Sequence, residues 1–377
     1  MKILHIISGL NSGGAEGVLC RLVINDKRNT HYVVSLTNKG FYGKDLEKNK
    51  IFLKSLMIKK NIFIFIKFIQ LVFLIRHIKP DVVQCWMYHA ELFGGLAAKL
   101  SGIKKIFWNI RNSDLNPLWS KKSTIYLAKL CSFFSNSVPT KIISCSRKST
   151  ITHVHMGYKK NKILLIPNGF DDKKFTFKAQ NYLNWREKLK ISRKIVVFGF
   201  VGRWNSQKDF ETLFKAFSNF LSENNNKKIF KLLLIGSQLN SSNKKFLRQI
   251  KKYNLNKHII YLDETNRINE VINIIDIGIF SSKGNEGFPN VIAEKMLTRI
   301  PCIVSDVGDA SIIVGNTGWV FKRRDWLDLS RKIKFVYNNI YVHKFKWNRK
   351  KNESRNRIKN HFSLNKMISD YHKIWVK

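Results

Sequence analysis

A chain of 377 residues is longer than one ordinary hydrophobic core can organise, so two domains of usual size are expected. With 44% hydrophobic and 12% aromatic residues, 20 Gly and only 6 Pro, the composition excludes a disordered, collagen-like or low-complexity protein. The net charge of +43 would suit a polyanion binder, but Lys, Asn and Ile run through predicted helices and loops alike, so it reads as a general compositional bias.

Such a field favours an anionic membrane face as partner over nucleic acid. The five cysteines, Cys20, Cys85, Cys131, Cys145 and Cys302, are odd in number and far apart, with no CxxC pair, and read as reduced core thiols. The first ten residues carry one lysine and a strand-length apolar run that enters a glycine turn. They lack the build of a secretory leader, so a cytoplasmic protein is expected, peripheral at most on the inner face of the membrane.

Short apolar runs alternate with longer amphipathic segments along the whole chain, the pattern of βαβ units and parallel sheets covered on both faces. The fold class predicted is α/β, with two doubly wound Rossmann-like domains facing a central cleft. The first predicted strand, 2–7, ends in Ser8-Gly9-Leu10-Asn11-Ser12-Gly13-Gly14-Ala15-Glu16, where Gly13 and Gly14 would let backbone amides approach an anion at a helix start. A plain β–α turn explains the pair alone equally well. It is not a GxGxxG dinucleotide signature.

A strand at 32–36 follows, then the most hydrophobic stretch, 62–78. It contains Lys67, Gln70, Arg76 and His77 and is short for a membrane span. It reads as a helix packed on a sheet, or one lying on a bilayer with Lys59, Lys60, Lys67 and Lys79 near headgroups.

The strand at 81–85 leads to His89 and the strand at 106–110 to Arg111. Strands at 141–145 and 162–166 close the first series. Pro167-Asn168-Gly169-Phe170-Asp171 then has the composition of an interdomain hinge, which divides the chain into 1–167, 168–345 and a helical segment 346–377 that crosses back.

The second series begins at 195–201 and runs into Gly202-Arg203-Trp204-Asn205-Ser206-Gln207-Lys208-Asp209. Arg203 and Lys208 flank this strand-to-helix turn, where a guanidinium fork and an ammonium can hold a diphosphate together. After strands at 231–235 and 258–262, the strand 277–280 meets the most specific feature, Ser281-Ser282-Lys283-Gly284-Asn285-Glu286-Gly287-Phe288-Pro289-Asn290-Val291-Ile292-Ala293-Glu294. Pro289 suits the first turn of a helix, and Glu294 falls one turn beyond Asn290 on a face otherwise apolar. Carboxylates there can accept hydrogen bonds from sugar or ribose hydroxyls, and free amides at the helix start can receive phosphate. Strands at 302–305 and 319–321 follow, and 362–375 has the period of a closing helix.

The Glu286 and Glu294 pair, with Gly287-Phe288-Pro289-Asn290 inside it, resembles the E-x7-E motif of the large retaining glycosyltransferase family 4. Gly13-Gly14-Ala15-Glu16, Pro167-Asn168-Gly169 and Gly202-Arg203 with Lys208 fall in the family's order, so the resemblance covers nearly the whole chain. It implies the GT-B fold, with a nucleotide-sugar donor and a glycan or lipid-linked saccharide as acceptor. Related members build O-antigen of lipopolysaccharide, capsule or other exopolysaccharide.

By this resemblance Glu286 binds the donor sugar and Glu294 the ribose, with Gly287, Phe288, Pro289, Asn290 and Val291 around them. Arg203 and Lys208 hold the departing diphosphate, and no metal or other cofactor is required. His89 stands where the family often has a histidine beside the transferred sugar, and Arg111 is a candidate for holding acceptor or phosphate. A core or capping role accounts for His89, and a structural salt bridge for Arg111, about as well. Two departures bear on base recognition: the loop 263–267 lacks the family's Asp after Arg, and 305–311 lacks its later Glu. A nucleotide-sugar epimerase of similar build and a basic nucleic-acid-binding protein are the alternatives.

Overall fold

The computed structural model describes residues 1–58, 64–223 and 230–376. Lys59, Lys60 and Ile62, named above, lie outside the described residues. The chain divides into two compact units.

The first unit comprises 1–169, 285–288 and 364–377. Its parallel sheet uses β1 (Lys2–Ile7), β2 (Thr30–Ser35), β3 (Phe52–Ser55), β4 (Val82–Trp86), β5 (Lys105–Ile110), β6 (Lys141–Ser144) and β7 (Ile163–Leu165), in the order β3-β2-β1-β4-β5-β6-β7. The second unit comprises 170–284 and 289–363. Its sheet orders β8 (Val196–Val201), β9 (Phe230–Ile235), β10 (Ile259–Leu262), β11 (Ile277–Phe280), β12 (Cys302–Ser305) and β13 (Trp319–Phe321) as β10-β9-β8-β11-β12-β13.

Both orders reverse beside the unit's first strand, between β1 and β4 and between β8 and β11. Ligands of doubly wound sheets bind beyond the carboxyl ends of the strands at such a reversal. The central strands are almost wholly buried, as their largely apolar runs require when helices cover both faces. In the second unit that core is rich in aromatic rings, with Phe198 packed edge to face on Phe217 and Phe230, and Phe217 on Phe220.

Two differences from the sequence reading have simple causes. β3 was not predicted, because it is a half-exposed edge strand in which Lys54 interrupts the apolar pattern. The segment that returns to the first unit starts at Leu364, not near residue 346, since the basic helix Lys344–His361 packs within the second unit through Arg355 and Arg357. The returning helix Leu364–Val376 buries Met367, Tyr371 and Trp375 against β1 and β4 residues.

Beneath that helix runs a directed chain of hydrogen bonds. Trp86 Nε1 can only donate, and does so to His5 Nδ1 (3.2 Å). His5 Nε2 then meets His31 Nδ1 (2.9 Å), and His31 Nε2 meets Asp26 Oδ2 (3.1 Å), which also takes His372 Nε2 (2.7 Å). Burial pushes the Asp26 carboxyl up, but the bonds from His31, Asn29, His372 and the Arg28 amide outweigh it and hold the group below the usual carboxylate range. Burial, aided by His31, drives His5 well below the ordinary histidine value. The Trp86 donor makes His5 Nδ1 an acceptor, so His5 is neutral and its Nε2 carries the proton toward His31.

The helix Ile64–Ile78 turns Leu71, Ile75 and Ile78 inward and leaves Phe65, Ile66, Ile69 and Phe73 exposed. Among the described residues no helix is long and apolar enough to cross a membrane. All five cysteines are free and buried.

Candidate functional site

In the first unit, a cavity of about 150 Å³ opens beyond β1, β4 and β5, lined by Ser8, Met87, His89, Arg111, Asn112 and Thr124. It lies at the strand-order reversal and brings His89 and Arg111 together, as their separate positions after β4 and β5 require. Met87, with φ of 69°, turns the chain sharply from β4 into the helix Tyr88–Leu100 and leaves His89 exposed at its first turn. Arg111 is held from behind: its Nη1 donates to Asn168 Oδ1 (2.5 Å), its Nη2 to the Tyr371 hydroxyl (3.2 Å), and its guanidinium lies 4.6 Å over the Trp86 ring. Among the described residues, hydrogen bonds and ring stacking fix it, and no salt bridge does.

The Glu286 loop belongs to this unit by its contacts. Ser113 Oγ donates to the Glu286 carbonyl, and Asn168 Nδ2 to the Phe288 carbonyl (3.4 Å). Between them Gly287 is packed so closely that a Cβ would stand 2.5 Å from the Arg111 carbonyl and 2.8 Å from Cys145 Sγ. Only glycine fits, which explains its place after the loop glutamate. Asn285 takes the left-handed backbone this turn needs (φ 59°), a conformation asparagine tolerates. Glu286 is partly exposed.

At the first glycine pair, the helix starts at Gly14 with Gly13 as its cap, and the carboxylate of Glu16 folds back over Gly13 into the space a Cβ would take. A glutamate at the third helical position meets the free amides of its own helix in this way. In this structure the anion seat at Gly13 and Gly14 is filled by the chain's own acid.

In the second unit the two loops at the reversal are stitched together. Lys208 and Ser282 form an antiparallel bridge; Lys283 N donates to Gln207 O (2.7 Å), Ser282 Oγ to the same carbonyl (3.1 Å) and Ser281 Oγ to Asp209 O (2.9 Å). The Asn205 side chain accepts the Lys208 amide (3.1 Å), and Lys208 Nζ lies 5.0 Å from the Phe280 ring centroid, over the end of β11. Arg203 is exposed at the start of the same loop. Asp209 caps the helix Phe210–Ser222 through the Thr212 amide (3.3 Å).

The helix Asn290–Leu297 begins one residue later than expected, with Pro289 as its cap. Asn290, Val291 and Glu294 are partly exposed, while Ile292, Ala293, Met296 and Leu297 are buried, so the apolar face anchors the helix and leaves Glu294 accessible.

Two residues were missed. Lys295 lies on the buried side of that helix and donates from Nζ to Ile279 O (2.8 Å) and Gly199 O (3.4 Å), tying the Glu294 helix to β11 and β8. Burial lowers its ammonium to about 8, with Cys302 raising it and Lys208 lowering it. The available signal was a charge three residues from Ile292, on the apolar face. Glu91 is similar: it is fully buried one turn before Gly94 and Gly95, and neither carboxyl oxygen has a hydrogen-bond partner among the described residues. Burial raises it to about 8 against the pull of the Asn109 backbone and Arg111, so it is protonated at neutral pH. Among the described residues no group of three His, Cys, Asp or Glu is placed to hold a metal ion.

Comparison with known proteins bears on family and fold. Among curated proteins, the UDP-Gal:alpha-D-GlcNAc-diphosphoundecaprenol alpha-1,3-galactosyltransferase of Escherichia coli is 27% identical over 247 residues, 64% of this chain and 62% of that protein. The chain thus matches less than two thirds of that relative's length. A putative glycosyltransferase of Bacillus subtilis (strain 168), EpsF, is 22% identical over 81% of this chain and 79% of its own. The crystal structure of HepE from Anabaena in complex with UDP superposes with a TM-score of 0.84 over 99% of both chains at 17% identity, a likeness of fold. Residues 12–174 match the family described as Glycosyltransferase Family 4, and 181–357 match that described as Glycosyl transferases group 1. Between them these matches take in every motif from Gly13 to Glu294, and the chain belongs to this glycosyltransferase family.

Proposed function

We propose that the enzyme is a retaining transferase that takes a sugar from a nucleotide-sugar donor and adds it to a lipid-linked saccharide during assembly of a cell-envelope glycan such as O-antigen, capsule or exopolysaccharide. The observation that carries this reading is the stitching of the Gly202–Asp209 loop to the Ser281–Lys283 loop. It fixes Lys208 over the end of β11, on the strand that leads to Asn290 and Glu294. Arg203 and Lys208 stabilise the diphosphate charge as it departs, and Glu294 accepts the ribose hydroxyls. Glu286 binds the sugar, with Gly287, Phe288, Pro289, Asn290 and Val291 shaping its seat. Gly13 and Gly14 offer amides to the donor phosphate once Glu16 moves aside.

His89 and Arg111 line the acceptor's cavity. The departing phosphate oxygen takes the acceptor proton on the same face, so no enzyme nucleophile and no metal is needed. The relative from E. coli, whose name specifies a UDP-sugar and a diphosphoundecaprenol-linked acceptor, supports both substrate classes.

Thermal denaturation against a panel of nucleotide sugars is expected to show one donor raising the midpoint, by ligand binding to the folded state alone. That donor should yield, with a lipid-linked acceptor, a product of unchanged anomeric configuration by NMR. An inverted product removes the retaining mechanism, and conversion of donor alone to its epimer removes transfer.

The same reading places the enzyme peripherally on an anionic bilayer. Phe65, Ile66, Ile69 and Phe73 are exposed with Arg76, and Leu118, Tyr126, Leu130 and Phe133 are exposed beside Lys121, Lys122 and Lys129. Apolar side chains ringed by cations suit the headgroup boundary. Sedimentation with phosphatidylglycerol vesicles should weaken several-fold in a Phe65→Ser, Phe133→Ser variant; unchanged binding refutes this orientation.

A further inference from the structure

The second unit contains a cavity that its sugar-transfer chemistry leaves unused. It measures about 280 Å³ and is lined by Phe177, Tyr182, Asn273, Asp276, Arg299 and Lys351, among others. Ile275 and Asp276 also line it, just before β11, and so do Thr298 and Arg299, just after the helix Asn290–Leu297. It therefore sits at the opposite ends of the strand and helix whose near ends form the donor loops.

Its charges do not balance. Asp276 is already engaged by Arg186 Nη2 (3.0 Å) and by the Val197 amide (2.9 Å). Lys351 forms no hydrogen bond or ion pair among the described residues, and Arg299 Nε is buried with no partner there. Two cations thus line one partly enclosed space, Lys351 without a hydrogen-bonded acceptor and Arg299 with its Nε unpartnered among the described residues, where burial disfavours the charged form of an ammonium. Burial lowers the Lys351 ammonium, and Arg299 and Arg186 lower it further against the pull of Asp276.

Helix capping does not account for them. The carbonyls at the end of Asn290–Leu297 are satisfied elsewhere: Leu297 O by Arg355 Nη1, Lys295 O by the Ile300 amide, Met296 O by the Arg299 amide and Glu294 O by the Thr298 amide. Nor does the backbone favour arginine at this position. Arg299 has φ of 64°, the left-handed conformation that suits glycine after a helix, so its side chain is kept against a local strain.

We propose that this cavity is a second ligand site, which binds a small phosphate-bearing anion between Arg299 and Lys351, with Asn273 and Asn348 as polar neighbours. A phosphate carries the two charges that the cations lack, and its oxygens accept from a guanidinium and an ammonium together. The cavity has room for a phosphate ester as well as free phosphate, with Phe177 and Tyr182 as the apolar wall.

Calorimetric titration of the full-length chain with inorganic phosphate, and separately with glucose 1-phosphate, tests this. Carrying Arg203→Met and Lys208→Met throughout removes phosphate binding at the proposed donor site. Binding is expected to persist in that background and to weaken at least tenfold on adding either Arg299→Gly or Lys351→Met. The tighter of the two titrants identifies whether free or esterified phosphate is preferred. Because glycine relieves the left-handed strain, Arg299→Gly should raise the thermal midpoint while it abolishes binding, a combination that a purely structural arginine does not give. Failure of the background protein to bind either titrant, or equal affinity with and without the two added substitutions, overturns the proposal.

Discussion

Glu286→Ala and Glu294→Ala are each expected to lower the rate of sugar transfer by about 100- to 1000-fold while the protein remains folded. Both side chains are partly exposed and carry little of the packing, which lies with Phe288, Ile292, Ala293, Met296 and Leu297. A buried apolar neighbour would transmit its loss to stability; these acids should not. The two losses should divide differently. Glu286, assigned to the transferred sugar, should lower kcat, because its bonds strengthen as charge develops on the ring. Glu294, assigned to the ribose, should act mainly on donor KM, since the ribose is unchanged between ground and transition states. Steady-state kinetics on both variants, with circular dichroism as the folding control, checks this. Near-normal turnover in both removes the carboxylates from the site and the transfer mechanism with them.

The second large effect concerns stability. Asp26→Ala is expected to destabilise the first unit by about 3 to 5 kcal/mol, because it leaves the donors of His31, His372 and Asn29 without their shared acceptor in a buried setting. A drop of roughly 10 °C in the thermal midpoint corresponds to this. The same network sets the response to acid. His5 is neutral in the fold with its pKa well depressed, whereas a histidine in the unfolded chain takes up a proton near pH 6.5. Stability is therefore full above that pH and falls as the pH drops below it, since only the unfolded chain accepts the proton. Asp26, depressed likewise, adds a further loss below about pH 4. Urea denaturation between pH 8 and pH 5 should show declining stability in the wild type and a flatter profile in His5→Gln. Equal slopes in the two proteins contradict the assignment of a neutral His5.

Much of this architecture was legible because its signals are local. Gly13-Gly14, Arg203 with Lys208, and Glu286 through Glu294 each follow a strand whose largely apolar run announces it, and doubly wound sheets place such loops at one edge. What was not legible depends on contacts between distant segments. Nothing near Arg111 in the sequence shows that Asn168 and Tyr371 hold its guanidinium. Lys295 and Glu91 looked like ordinary helix charges until the helical phase was set against the sheet beneath. The five histidine, tryptophan and aspartate side chains of the relay come from four separate segments, so only the folded chain assembles them. Edge strand β3 escaped because half of it faces water and its pattern is accordingly mixed.

The returning helix has a consequence for how the protein is made. Trp86, His5, Gln84 and Asn109 all find their partners or packing against Tyr371 and Trp375, which are translated after the whole of the second unit. The second unit is complete once Ser363 has left the ribosome, whereas the first, though begun earlier, must wait with an open face until the returning helix emerges. The order of synthesis is thus the reverse of the order of completion. A nascent chain arrested before Leu364 presents the apolar surface of β1 and β4 to chaperones, and release of the returning helix closes it.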